Sequence, residues 1–145
     1  MTNTDGSRYE NCLYRVEQLQ KGEKKAAEAS AMNMMQLMSA AGKAVFKQLQ
    51  RRFPAPARIA VCCGEGNNGG DGYIVARLAQ EAGYQVQVFA LKPNAELSNP
   101  LESDAHRARS AWREQGGSEK ALLDCTPDQF DVVVDALFGV GLNRA

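Results

Sequence analysis

The chain has 145 residues, the length of one domain, and 44% of them are hydrophobic, as in an ordinary globular protein. Basic and acidic residues number 17 each, so net charge gives no pull toward nucleic acid or an anionic membrane surface. No stretch approaches the roughly 20 apolar residues of a membrane span. The polar run Met1–Asn11 lacks the apolar centre of a signal peptide, and the cytoplasm is the expected compartment.

Residues 1–12 read as a disordered lead-in and 13–145 as the domain. Val16 to about Ala29 carries Val16, Leu19, Ala26 and Ala27 among many charges, which predicts a partly exposed helix. From Asn33 to Arg52 a stripe of Met34, Met38, Ala41, Val45 and Leu49 recurs at helical spacing, and Pro54 and Pro56 end it. The period then changes. Ile59–Cys63 reads as a buried strand, Asp71–Ala82 as a helix stopped by Gly83, and Gln85–Leu91 as a second strand. After a loop from Lys92 to Asn99, a helix is expected from Pro100 to Gln115. Its buried side would be Ala105, Ala108 and Trp112, and Arg107, Arg109 and Arg113 would form a solvated face. Gly116-Gly117 ends that helix, and Phe130–Leu137 is the last clear strand. Strand–helix–strand–helix–strand order implies a parallel sheet with right-handed crossovers.

The cysteines Cys12, Cys62, Cys63 and Cys125 form no CxxC pair. Cys62 and Cys63 lie in a strand and read as small core residues. The single histidine, His106, falls in a charged helix and reads as a surface residue, which leaves no Cys-His or Ser-His pair. Acid–base chemistry would have to rest on carboxylates, backbone groups or a bound ion.

The densest signal is Cys63-Gly-Glu-Gly-Asn-Asn-Gly-Gly-Asp-Gly72, a glycine-rich run between the first strand and its helix. Glycines there let a ligand approach bare backbone N–H groups, and Asn67, Asn68 and Asp71 add polar side chains. Gly64, Gly66 and Gly69 fit G-x-G-x-x-G, but two features speak against a standard dinucleotide site. Asp71, placed at the helix start, would repel a pyrophosphate, and the second strand ends Val88-Phe-Ala-Leu-Lys92, without the acid that binds ribose. A polar pocket, with room for a cation, is the better reading. Asp135 follows Val132-Val-Val134, and the Gly139–Gly141 loop follows it, so both loops fall on the carboxyl edge of the sheet, where ligands bind in open parallel folds. A carboxylate there calls for a cation, a ligand hydrogen bond or a backbone N–H to cap.

Three runs resemble one family. Gly66-Asn-Asn-Gly-Gly-Asp-Gly72, Leu37-Met-Ser-Ala-Ala-Gly42 and Val134-Asp-Ala-Leu-Phe-Gly-Val-Gly-Leu142 are similar, in order and spacing, to motifs of the NAD(P)H-hydrate epimerases, the YjeF N-terminal domain family, over about residues 14–145. The resemblance implies an α/β, Rossmann-like three-layer sandwich with a parallel sheet, preceded by N-terminal helices. It implies an enzyme that interconverts the R and S epimers of hydrated NADH and NADPH in nicotinamide-cofactor repair, with a potassium ion as cofactor. Carried over by motif, Asn67, Asn68, Gly69, Gly70 and Asp71 would line one wall of the substrate pocket. Gly139, Val140, Gly141, Leu142, Asn143, Arg144 and Ala145 would form the other. Asn68 and Asp135 would hold the ion, and Asp135 and Asp71 are the carboxylates available for proton transfer. The family implies a homodimer and, in bacteria, a fused ADP- or ATP-dependent dehydratase domain, with no nucleic-acid or membrane partner. The other reading is a ligand-binding or dimerisation scaffold of the same fold without catalysis.

Two departures stand out. Val140 occupies a position where the family often has threonine, and the chain stops at Ala145 before the family's later segments. It therefore reads as the front part of such a domain, appearing truncated, with Val132, Val133, Val134, Leu137 and Phe138 expected to expose apolar surface.

Overall fold

A computed structural model describes residues 15–30, 32–96 and 103–139. Its elements are α1 (Val16–Ala29), α2 (Met34–Arg52), β1 (Arg58–Cys63), α3 (Asn67–Glu81), β2 (Gln85–Ala90), α4 (Asp104–Glu114), β3 (Glu119–Ala121) and β4 (Val132–Ala136). Two short 3₁₀ turns, Leu122–Asp124 and Pro127–Gln129, separate β3 from β4.

The strands form one parallel sheet in the order β3-β2-β1-β4. The chain builds outward from β1 in one direction, then returns to add β4 on its other side. The switch in strand order therefore lies between β1 and β4, whose register pairs Cys62 with Asp135 and Cys63 with Ala136. The expected α/β parallel fold is the one observed.

Alternation along β1 divides the interior. Ile59, Val61 and Cys63 face the helices and pack with Tyr73, Ile74, Val75, Ala76, Val88, Ala108 and Trp112. Ala60 and Cys62 face the other way, joining Phe89 against Leu122, Cys125, Phe130 and Leu137. That second face is covered, among the described residues, by the segment that carries the 3₁₀ turns, with Phe89 and Phe130 edge to face at 5.7 Å. The helical layer lies on the first face. Each fully buried side chain of this kind contributes about 1.5–3 kcal/mol.

Several elements differ from the sequence reading. The buried stripe of α2 is Met38, Gly42 and Leu49, with Met35 and Phe46 packed beside it. Met34 and Val45 are exposed. The stripe is rotated because Gly42 is a contact residue. A Cβ there would lie 2.5 Å from Ile74 Cγ2, so the helices meet where an apolar side chain is missing. Helix α2 begins at a reciprocal cap: the Asn33 side chain accepts from Gln36 N and the Gln36 side chain accepts from Asn33 N, both at 2.8 Å. Helix α4 starts at Asp104, capped by the Ser103 hydroxyl, which accepts from His106 N at 3.1 Å. The expected start at Pro100 lies outside the described residues. Gly83 and Gly116 do close α3 and α4, each with positive φ. Of the valines in β4, Val132 and Val134 pack toward the helical core, and Val133 and Phe138 are the exposed apolar residues.

Arg109 is not solvated. It is 6% exposed and lies on the same helical face as Ala105, Ala108 and Trp112. Its Nε and Nη2 donate to Glu119 at 2.8 and 2.6 Å. Arg113 Nε adds a bond to the same carboxylate at 3.0 Å, and the Asn94 amide another at 3.0 Å. Burial alone would push the Glu119 carboxyl up, but these donors outweigh it and hold the pKa at about 2. The pair explains β3, which periodicity does not reveal: three residues become a strand because Glu119 is clamped beside β2.

Candidate functional site

The glycine-rich run is less a turn than a helix start. Gly66 is the N-cap of α3, with no side-chain cap, and Asn67 through Gly70 form the first helical turn. Gly70 N donates to Gly66 O at 3.1 Å, so the amides before it are free of intrahelical bonds and face the carboxyl edge of the sheet. Asp71, expected at the helix start, is in the second turn. The first turn carries no acidic residue, which removes the electrostatic objection to an anionic ligand there.

The glycines serve close packing more than unusual backbone. Of the described glycines only Gly83 and Gly116 have positive φ. A Cβ on Gly69 would lie 1.9 Å from Gly64 O, and one on Gly64 would lie 1.9 Å from Leu137 O. On Gly72 it would meet Ala136 Cβ at 2.7 Å, and on Gly70 Met38 Sδ at 2.7 Å. The seam thus locks the α3 N-terminus onto the ends of β1 and β4. Gly64 N donates to Ala136 O at 2.9 Å, extending the ladder one residue past the end of β1.

This brings the two expected loops together. A Cβ on Gly139 would be 3.2 Å from Asn68 Cβ, so the second motif lies against the first. Asn67 is exposed, and Asn68 and Asp71 are half-buried. Asp135 is exposed, and its Oδ1 accepts from Leu137 N at 3.1 Å, a local cap of the chain leaving β4. Register places Asp135 beside Cys62, on the sheet face opposite α3, so Asn68 and Asp135 reach the same edge from different sides. Val140, Gly141, Leu142, Asn143, Arg144 and Ala145 lie outside the described residues.

The carboxylates differ in chemistry. Desolvation, then the nearby negative charge of Glu23 on α1, raise the Asp71 pKa from 3.8 to about 6. The Cys62 thiol is pushed up to about 11, first by burial and then by Cys125, and burial raises Cys63 further. Neither is a nucleophile at neutral pH. No group of three or more His, Cys, Asp or Glu residues is placed to hold a metal among the described residues.

A small cleft opens beside the α3 N-terminus, lined by Gly64, Glu65, Gly70, Tyr73, Ala105, His106 and Arg109. The sequence alone gives no role to Tyr73 or Glu119, and it places Arg109 on a solvated face. The signal was present for Arg109: a charged residue one turn from Ala105 and from Trp112 must be buried and paired.

Residues 34–145 match the sequence profile described as YjeF-related protein N-terminus. The chain belongs to this family. Among its YjeF relatives, the bifunctional NAD(P)H-hydrate repair enzyme Nnr of Vibrio cholerae is 44% identical, over 91% of this chain and 26% of that protein. The enzyme of the same name from Escherichia coli is 38% identical, over 92% and 25%. The NAD(P)H-hydrate epimerase of Cereibacter sphaeroides is 38% identical, over 84% of this chain and 61% of that protein. The crystal structure of yeast ynu0 superposes with a TM-score of 0.72 at 21% identity, covering 92% of this chain and 59% of the yeast chain, a likeness of fold. The chain thus spans about a quarter of the bifunctional relatives and under two thirds of the epimerase. No helix among the described residues is long and apolar enough to cross a membrane.

Proposed function

We propose that this chain forms the nucleotide-facing part of an NAD(P)H-hydrate epimerase, interconverting the R and S forms of hydrated NADH and NADPH in the cytoplasm. The observation that carries the reading is the uncapped start of α3, which presents Asn67 and Asn68 beside Gly139 at the strand-order switch. The family membership and the names of the relatives point the same way. In this reading Asn67, Asn68, Gly69, Gly70 and Asp71 form one wall of the substrate site and Gly139 through Ala145 the other. Epimerisation by loss and return of water needs a group that protonates the departing hydroxyl and takes a proton back from the returning water. Asp71, with a pKa near neutrality, suits that exchange. It favours a catalytic domain over a scaffold, which has no use for a half-buried carboxyl poised there.

Potassium is a hard cation that takes oxygen ligands, and the side-chain oxygens of Asn68 and Asp135 are donors of that kind. The bond to Leu137 uses Oδ1 of Asp135 and not Oδ2. When bound, the ion would supply fixed positive charge for the substrate's oxygens; Asp71 holds the proton. A homodimer, and a dehydratase domain fused in the whole protein, complete the proposal.

The test is to mix (R)-hydrated NADPH with the protein and an S-specific dehydratase. NADPH should form at the rate of epimerisation, and Asp135→Asn should lose most of that rate and its potassium dependence with unchanged circular dichroism. Wild-type turnover in the variant would sink the assignment of Asp135.

A further inference from the structure

We infer that Cys62 and Cys125 form a reversible oxidation site: a hydroperoxide oxidises the partly exposed thiol of Cys125, and Cys62 then closes a disulfide that staples β1 to the segment covering the second sheet face. The inference stands apart from the epimerase reading, in which neither thiol has a part.

Two thiols from distant parts of the chain meet on that face. Cys62 points away from α3, into the cluster it forms with Ala60 and Phe89. Cys125 packs against the same cluster, together with Leu122, Phe130 and Leu137. The Cys125 thiol acts on the Cys62 thiol through both charge and a side-chain hydrogen bond. The Asp135 carboxylate, register partner of Cys62 on β4, acts on it through charge alone. Cys63 is the internal contrast. It faces the helical layer, where a Cβ on Gly72 would lie 2.9 Å from its sulfur, and the sheet separates it from Cys125.

The partners differ in access and in freedom to move. Cys62 is 7% exposed and lies between two strands, opposite Phe89 on one and Asp135 on the other. Cys125 is half-buried, flanked in sequence by the exposed Asp124 and Thr126, so an oxidant reaches it first. It follows a single 3₁₀ turn, and its amide bonds locally, to Leu122 O at 3.1 Å. A disulfide needs the sulfurs to close to about 2.0 Å. The short turn segment can supply that movement; the sheet need not.

The chemistry balances. The Cys125 sulfur, as thiolate, attacks one oxygen of the hydroperoxide. The O–O bond breaks, an S–O bond forms, and the other oxygen leaves and takes up the Cys125 proton. The Cys62 sulfur then attacks the sulfur of this sulfenic acid. An S–S bond forms, the S–O bond breaks, and the Cys62 proton goes to the departing oxygen, which leaves as water. With hydrogen peroxide, two thiols and one peroxide give one disulfide and two waters. Cys62 brings no thiolate to this step; contact with the partner sulfur supplies the proximity instead. A dithiol reductant reverses the bond by exchange.

The experiment treats the reduced full chain with equimolar hydrogen peroxide, followed by alkylation and tryptic digestion without reductant. Mass spectrometry should find the peptide that carries Cys62 and Cys63 joined to the one that carries Cys125, with fragmentation placing the bond at Cys62. Before oxidation, Cys125 should alkylate at least about tenfold faster than Cys62. The oxidised chain should melt roughly 5 °C or more above the reduced one, since the bond closes a loop of about 60 residues, and dithiothreitol should erase the gain. Cys125→Ser should show neither the cross-link nor the gain. In Cys62→Ala, Cys125 should oxidise past the sulfenic stage to sulfinic acid. A bond from Cys125 to Cys63 or Cys12, sulfinic acid at Cys125 of the wild type with Cys62 free, or no oxidation of either sulfur overturns the site. If either variant fails to fold, the peptide map of the wild type decides alone.

Discussion

Asp71 sits half-buried in the second turn of α3, with desolvation first and Glu23 second raising its pKa from 3.8 to about 6. A raised carboxyl pKa means that the folded state holds the proton more tightly than the unfolded chain. Its contribution is therefore fully present below about pH 3.8 and is lost as pH rises through about 6. One pKa unit corresponds to about 1.4 kcal/mol, and screening at a half-exposed site reduces the total to on the order of 1–2 kcal/mol. Asp71→Asn should therefore match wild type at pH 4 and exceed it by roughly that amount at pH 8. Urea unfolding at the two pH values checks this, and an identical pH slope in both proteins would remove the basis for the shift. The same variant should lose epimerase turnover if Asp71 moves the proton.

At the scale of elements, the glycines of the seam and the glycine of α1 make opposite forecasts. Gly69 has no space for a side chain, because a Cβ would sit 1.9 Å from Gly64 O, and backbone cannot step aside as a flexible side chain does. Gly69→Val should cost about 3 kcal/mol or more by overpacking, lowering Tm by roughly 10 °C, and should part the α3 start from the β4 loop. Gly22 lies mid-helix in α1 with nothing within 4 Å of a built Cβ. Gly22→Ala should be neutral or stabilise by up to about 1 kcal/mol. Differential scanning calorimetry of both variants tests the pair; a tolerated valine at 69 would show that the seam opens easily. Helix and strand identities were legible from period and punctuation, as in α1, β1, β2 and the Gly83 stop. The start of α3 was not, because four glycines and two asparagines look like a turn to propensity. Tertiary contact makes them helical, since only bare Cα atoms let α3 reach Gly64 and Ala136. The stripe of α2 was misread for the same reason, at Gly42.

For the whole molecule, the buried Glu119 group governs the acid side of stability. Its folded pKa of about 2, against an ordinary 4.5, gives stability present above pH 4.5 and lost as pH falls toward 2. Glu119→Gln leaves Arg109 and Arg113 without their carboxylate and should cost about 3–5 kcal/mol at pH 7, with a much shallower loss on acidification. Acid titration followed by far-UV circular dichroism decides it; a midpoint and slope equal to wild type would mean the cluster does not anchor α4. The fold class and the meeting of the two loops were readable in the sequence, because strand order follows from the βα alternation and ligand edges follow from strand order. The ionic cluster was not, since charged residues in a helix default to solvent and only the tertiary pairing with β3, itself too short to show a period, buries them. The cleft beside Tyr73 was hidden likewise, being formed by residues as far apart in the chain as Gly64 and Arg109.

The charge of Glu23 ties the first helix to the site by thermodynamic reciprocity. Every α1 side chain that the structure describes, from Arg15 at its cap through Ser30, is exposed. Its closeness to Asp71 raises that group's proton affinity. By linkage, protonation of Asp71 must favour the docked position of α1 to the same degree, and ionisation must favour its release. The amino-terminal helix is then a reporter of the site's proton, and whatever consumes that proton loosens the helix.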